Sequence, residues 1–355
     1  MSSLAAAHGP CRRAAVAGSL LAALLVVLVL RNGDVERQQA LGPGRGGAAT
    51  GALLRRRLLL YQPIAGLGNQ LIELEIGLRL ARELNRTLVV PRYVGRDGAV
   101  SPLSLADLVQ VPAPPEPGVD DVIQSQPPTA DEVIVLTPTF VTDAQRAYLQ
   151  KTFPWIYPTV TALRYFRELG LLGPRTVVRT VNLTEPQPPG AAGLLASDAR
   201  VLGLNMLFYL YTFWGPLTIH LPPHPRFCVP ASVVPYSAVH LRMGDMPEYG
   251  RVMLNATIPA LSEFADRVAQ LHQRRPEIPW YVASDDDQAR RELLQRTRVP
   301  ELGGTPTTSS DEHAVLLRDV CLCWHADVWL GASYSTLSTW IGTLRRHDHL
   351  TSHWV

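Results

Sequence analysis

The chain has 355 residues, 46% of them hydrophobic and 18% charged, and a formal net charge of +2. That balance excludes a disordered chain. With no basic stripe it also excludes a nucleic-acid binder, and the length suits about two domains with a sizeable core.

Residues 14–30 form an uncharged apolar run, preceded by Arg12 and Arg13 and followed by Arg31. Seventeen residues is short for a spanning helix, but no small-x-small cleavage site follows closely. The expectation is a transmembrane signal anchor over 14–30, with residues 1–13 as a cytoplasmic tail and everything beyond in the lumen. A short span suits the thinner membranes of the early secretory pathway. Residues 31–57 are rich in Gly, Ala, Arg and Gln and read as a flexible stem. Three glycosylation sequons begin at Asn85, Asn182 and Asn255; Asn85, between a helix and a strand, is expected to be buried. Beyond the span lie Cys228, Cys321 and Cys323. They allow one intrachain disulfide and leave one thiol. Cys321 and Cys323, two apart on a helix, point different ways, so no metal site is expected from them.

The folded part begins at Leu58. Residues 58–61 are a buried strand, a turn with Gly66 and Gly68 follows, and helical spacing starts at Gln70 through Leu71, Leu74, Leu78 and Ala81. Residues 87–90 are a second strand, which completes a βαβ unit. Its glycines let backbone approach a ligand at a helix N-terminus, where free N–H groups favour an anion; a tight turn without a ligand is the plainer reading. A short helix is expected over 102–109, a proline-dense surface loop over 112–130, a strand over 132–136, helices over 143–153 and 161–172, and a strand over 200–207. Prolines at 222, 223 and 225 break the chain. The domains are therefore drawn as 58–225 and 226–355. The second half alternates more regularly: strands at 237–241, 280–283 and 327–330, helices at 258–274, 287–297, 311–324 and 335–346. The pattern predicts an α/β fold of parallel sheets covered by helices, with ligands at strand carboxyl ends.

Three stretches carry chemistry. Arg242 follows a strand, in His240-Leu241-Arg242-Met243-Gly244-Asp245. Its planar fork suits a pyrophosphate. Asp245 either orients it or accepts a sugar hydroxyl, or the two form a plain salt bridge. His240 is either a core histidine or a ligand residue. Ser284-Asp285-Asp286-Asp287 closes the next strand; such acids read as a helix cap with first-turn charges rather than as a metal site. Ser335 and Thr336 open the last helix, as a phosphate cradle or a simple cap.

The wording of these stretches resembles the GDP-fucose protein O-fucosyltransferase family. The loop Gly66-Leu67-Gly68-Asn69-Gln70 and the phrase Leu84-Asn85-Arg86-Thr87-Leu88-Val89-Val90-Pro91 resemble its first motif. His240 to Asp245 resembles the H-x-R-x-G or H-x-R-x-x-D motif shared with α1,2- and α1,6-fucosyltransferases, and Ser335-Thr336-Leu337-Ser338 its serine-rich turn, with Leu337 in place of an aromatic. The resemblance implies a GT-B fold of two Rossmann-like domains facing a cleft, and fucose transfer from GDP-fucose with inversion and no essential metal or cofactor. It also implies a protein Ser/Thr acceptor and a Golgi or endoplasmic reticulum membrane. It places Arg242 on the β-phosphate, Ser335 and Thr336 on the pyrophosphate, His240 near the nucleotide, Asp285 or Asp286 on guanine, Gly66 and Gly68 in the donor-binding loop and Asn69 near the sugar and acceptor, with Arg242 and Asn69 as the catalytic pair. Gly66 stands where enzymes acting on epidermal-growth-factor-like repeats carry arginine. Ala65 stands where those acting on thrombospondin repeats carry glutamate. The base is left open: Glu73 lies too deep in its helix, and Glu248 is a candidate. A glycan-directed α1,2-type enzyme and an inactive binding protein are the alternatives.

Overall fold

The computed structural model describes residues 57–95, 98–111, 122–123, 129–138, 142–152, 163–183, 195, 197–205, 220–228, 235–302 and 312–355. The apolar run 14–30, the stem up to residue 56 and most of the expected loop 112–130 lie outside these. Among the described residues no helix is long and apolar enough to cross a membrane.

Two parallel sheets organise the chain. The larger has the order β5-β2-β1-β8-β6-β7, built from β1 (Leu58–Gln62), β2 (Thr87–Val89), β5 (Val122–Ile123), β6 (Ala130–Pro138), β7 (Leu172–Leu183) and β8 (Val201–Asn205). The smaller has the order β10-β9-β11-β12, from β9 (Ser237–Leu241), β10 (Trp280–Ser284), β11 (Val328–Gly331) and β12 (Ser352–Trp354). Every pairing within these two sheets is parallel. A separate antiparallel pair, β3 (Arg92–Val94) and β4 (Val100–Ser104), follows β2. β1 and β9 are buried along their whole length, as strands covered on both faces must be.

The helices are α1 (Leu67–Glu83), α2 (Leu105–Leu108), α3 (Asp143–Thr152), α4 (Arg164–Glu168), α5 (Met246–Tyr249), α6 (Leu261–His272), α7 (Asp287–Thr297), α8 (Glu312–His325) and α9 (Thr336–His347). Alternation along β9 shows how they cover the smaller sheet. Val239 and Leu241 pack with Phe264 and Val268 of α6 and Leu293 of α7. Ala238 faces the other way, into a core shared with Leu317 and Val320 of α8, Trp340 and Ile341 of α9, and Leu71 and Leu74 of α1. The two sheets thus meet through α1, α8 and α9.

Two buried arginines fasten this scaffold. Arg86 turns its guanidinium onto the carbonyls of Leu58 (3.2 Å), Ala199 (2.8 Å) and Ser197 (2.7 Å), where β1 and β8 begin. Arg345 of α9, fully buried, binds the carbonyls of Trp324 (2.6 Å) and Ala326 (2.7 Å) between α8 and β11. Burial pulls both guanidinium pKa values down to about 10, which leaves them charged. Each satisfies carbonyls that would otherwise be buried without partners. Cys228 and Cys321 form a disulfide that ties the entry to β9 to α8, and Cys323 is free and buried.

Several expectations need correction. α1 begins at Leu67 rather than Gln70, because Gly66 in extended backbone (φ −70°, ψ 165°) already accepts the first helical bonds from Asn69 (2.9 Å) and Gln70 (3.2 Å). The expected helix 102–109 divides into β4 and the single turn α2; Ser104 caps that turn, its N–H donating to Asp107 at 2.8 Å. The expected helix 161–172 shrinks to α4, and the β-branched stretch after it forms β7, a strand not expected. α5, the π-helical turn Gly250–Leu254 and β12 were also unexpected. Asn85, expected to be buried, is exposed in left-handed backbone, and Asn182 and Asn255 are exposed too.

Candidate active site

In the smaller sheet the strand order reverses between β9 and β11; in the larger, β2 and β5 lie on one side of β1 and the later strands β8, β6 and β7 on the other, which sets the switch between β1 and β8. Such a switch point opens a crevice at the strand carboxyl ends. The loop leaving β1 carries Gly66, Gly68 and Asn69. The segment leaving β9 carries Arg242, and the one leaving β11 carries Ser335 and Thr336. The topology therefore sends all three motifs to the two crevices.

Gly68 shows how the crevices meet. A Cβ placed on it would lie 2.8 Å from the backbone N of Leu337 and 2.9 Å from Thr336 Oγ1. The first turns of α1 and α9 thus touch, and only glycine permits that approach. Each brings the free N–H groups and positive dipole end of a long helix to one place. Gly66, by contrast, has an unstrained φ and open space around its Cβ position. The left-handed residue of this loop is Ala65 (φ 59°), not a glycine.

The loop before α1 is held from below. Gln70, fully buried, donates to the carbonyls of Ala65 (2.7 Å) and Val94 (2.6 Å) and accepts from Val94 N–H (3.1 Å). Glu73, also fully buried, accepts from Ile64 N–H at 2.8 Å. These are scaffolding roles, in keeping with Glu73 being too deep to reach a substrate. Asn69 is half-buried, and among the described residues its side-chain amide makes no hydrogen bond.

His240 is buried, with Nδ1 2.6 Å from Ser338 Oγ. Ser338 Oγ also accepts from Ala332 N–H (3.1 Å), and Ser335 Oγ caps α9 by accepting from Ser338 N–H (3.4 Å). His240 therefore links the end of β9 to the first turn of α9. Burial, and secondarily the charge of Arg242, pulls its pKa down to about 3, so the ring is neutral. Ser338 completes this link and was not singled out beforehand; its place three residues after Ser335 was the available signal.

Arg242 is bracketed by two carboxylates. Its Nη2 donates to Asp245 and its Nη1 pairs with Asp285. The Tyr334 hydroxyl donates to the Arg242 carbonyl at 3.0 Å. Asp286 caps α7, accepting from Gln288 N–H (2.8 Å) and Ala289 N–H (3.0 Å). The capping reading of the acidic turn thus holds for Asp286, and Asp285 is engaged with Arg242. Glu248 is exposed on α5, 4.0 Å from Arg251. Among the described residues no His, Cys, Asp or Glu cluster is arranged to hold a metal ion.

Two expectations follow. Gly68→Ala should destabilise the protein by about 1–3 kcal/mol, since a backbone must move. Gly66→Ala should cost less than about 1 kcal/mol, the loss of a helix-cap preference. Urea denaturation of both compares them, and equal costs would refute the close contact. Secondly, His240 takes up a proton near pH 6.5 when unfolded but only near pH 3 when folded. Its contribution is therefore complete above pH 6.5 and is lost as pH falls toward 3. Between pH 7.5 and 5.5 the wild type should lose roughly 1.4 kcal/mol more than His240→Asn. Parallel stability curves for the two would show that His240 protonates freely in the folded state.

No family model matches the chain, and no curated protein matches it in sequence. Solved structures do match. POFUT1 in its apo form aligns with a TM-score of 0.54 at 16% identity, covering 84% of this chain and 97% of that chain. POFUT1 in complex with GDP-fucose gives 0.53 at 15%, with the same coverage. POFUT1 in complex with GDP gives 0.52 at 15%, covering 84% of this chain and 98% of that one. The chain has the fold of POFUT1, as the resemblance of its three motifs implies.

Proposed function

We propose that this chain is a GDP-fucose-dependent fucosyltransferase that moves fucose to a hydroxyl acceptor with inversion, the acceptor being Ser or Thr of a protein. The observation that carries the reading is the contact of two helix N-termini at Gly68, with β9, whose end carries Arg242, tied to one of those helices through His240 and Ser338. A diphosphate leaving group needs such a place, and POFUT1, whose fold this chain has, was solved with GDP-fucose and with GDP. The acceptor oxygen bonds to C1 of the sugar as the bond from C1 to the diphosphate breaks. The electron pair stays on the diphosphate, and the proton of the acceptor hydroxyl passes to the departing diphosphate or to solvent water. Charge growing on the leaving oxygen meets Arg242, Thr336 and the free N–H groups of α1 and α9, which stand ready before the reaction begins. Asn69, half-buried in the first turn of α1, orients the acceptor hydroxyl. Both roles are filled by protein groups, so turnover needs no metal.

Turnover of GDP-fucose, followed as GDP release in EDTA with folded cysteine-rich domains or oligosaccharides as acceptors, tests this. Arg242→Ala should lose on the order of a hundredfold or more in rate. Arg242→Lys should lose nearly as much, because it keeps the charge without the fork. Activity only on oligosaccharides would favour a glycan-directed enzyme. Strict dependence on manganese, or turnover unchanged in both variants, would refute the mechanism.

We also place residues 58–355 in the lumen of the Golgi or endoplasmic reticulum, behind an uncleaved anchor over 14–30. The Cys228–Cys321 disulfide supports an oxidising compartment, and three exposed sequon asparagines suit a glycosylated chain. N-terminal sequencing of the cellular protein should find residues 14–30 still attached; a mature start between residues 31 and 57 would overturn the anchor.

A further inference from the structure

The acidic turn after β10 holds the residue that the proposed reaction leaves unexplained. β9 and β10 run in parallel register, with Ala283 beside His240 and Ser284 beside Leu241. One step further, that register sets Asp285 next to Arg242. Both carboxylate oxygens of Asp285 are then used by the end of β9. Oδ2 pairs with Arg242 Nη1, and Oδ1 accepts from the backbone N–H of Met243 at 2.9 Å. The contact is close-fitted: a Cβ on Gly244 would lie 2.6 Å from Asp285 Oδ2. The Asp285 side chain is 14% exposed and that of Arg242 22%. Asp245 differs on each count. It holds Arg242 through Nη2 alone, its side chain is 32% exposed, and it sits on the loop entering α5.

We infer that Asp285 is a positioning residue that aims the Arg242 fork at the diphosphate, and that Asp245 is a placeholder which the diphosphate displaces. This rests on the diphosphate-donor reading given above. A diphosphate that binds the fork on the edge where Asp245 sits competes with that carboxylate for Nη2. Asp245, held by one contact and more exposed, costs less to release than Asp285, which grips guanidinium and backbone together. Once Asp245 has moved, Nη2 is open to a phosphate oxygen while Asp285 keeps the fork in plane. The roles of the neighbouring acids divide accordingly: Asp285 orients the arginine, and Asp286 caps α7 through Oδ1.

Calorimetric titration separates this from base recognition. The probes are GDP, inosine diphosphate, which lacks the 2-amino group of guanine, and GMP, which lacks the second phosphate. A residue that aims Arg242 acts on the phosphates whatever the base. Asp285→Asn should weaken GDP and inosine diphosphate by the same factor, about tenfold or more, and GMP by much less. Asp285→Glu, which keeps the charge but overreaches, should do the same. Adding Asp285→Asn to Arg242→Ala should weaken GDP by less than about twofold, because the two act as one unit. Asp245→Asn should bind GDP at least as tightly as the wild type, having lost a competitor. Melting temperatures identify any variant that fails to fold, and the two Asp285 variants serve as substitutes for one another. Loss of the preference for GDP over inosine diphosphate, with the gain from the second phosphate intact, would make Asp285 a base reader. Unchanged GDP binding in both Asp285 variants, or weakened binding in Asp245→Asn, would also overturn the assignment. A wild-type protein that binds inosine diphosphate and GDP but has no fucose turnover would remove the proposed reaction and leave this assignment standing. One that binds no diphosphate would remove both.

Discussion

The architecture of the site depends on one contact, the approach of the first turn of α1 to the first turn of α9 at Gly68. There a Cβ would lie 2.8 Å from the backbone of Leu337. The two helices start from different sheets, each at the switch point of its sheet. Bringing their N-termini together concentrates unpaired N–H groups and two positive dipole ends in one crevice. That arrangement is unfavourable without an anion, and the fold sustains it through the surrounding core. Leu71 and Leu74 of α1 and Trp340 and Ile341 of α9 lie in the same apolar cluster.

Charge near the contact is balanced by burial and pairing. His240 is the residue nearest in sequence to Arg242 that could add a second positive charge. Its burial against Ser338 keeps it neutral and makes it a strut between β9 and α9. Arg242 is held by Asp285 and Asp245. The crevice therefore presents a cationic fork held in place at the end of β9, the kind of preorganised arrangement that electrostatic catalysis uses.

Motif residues and site residues are not the same set. Arg86 and Gln70 belong to the stretches most like the O-fucosyltransferase family, yet both are buried and bound to backbone carbonyls. They hold the start of β1 and the loop before α1 in place. Arg345, which belongs to none of the motifs, does the corresponding work in the smaller sheet. A motif of this kind describes the frame around a ligand as much as the ligand's own contacts.

From the sequence alone most of the second half was legible, with β9 and α7 matching their expected bounds, because its apolar runs are short, uninterrupted and divided by clear caps; the short α5, the π-helical turn and β12 were not, having no such run. The α/β class followed from the same alternation, and the three motif stretches could be located because each lies where a strand gives way to a helix. β7 was missed because an edge strand need not be apolar: Val177 and Val178 are exposed, and no burial pattern marks it. Which glycine is required, which acid orients Arg242 and whether His240 is charged are set by neighbours far along the chain. Leu337 lies against Gly68, Asp285 beside Arg242, and Ser338 on His240. Local sequence specifies where a strand ends; only parallel register and helix packing decide what stands next to it there.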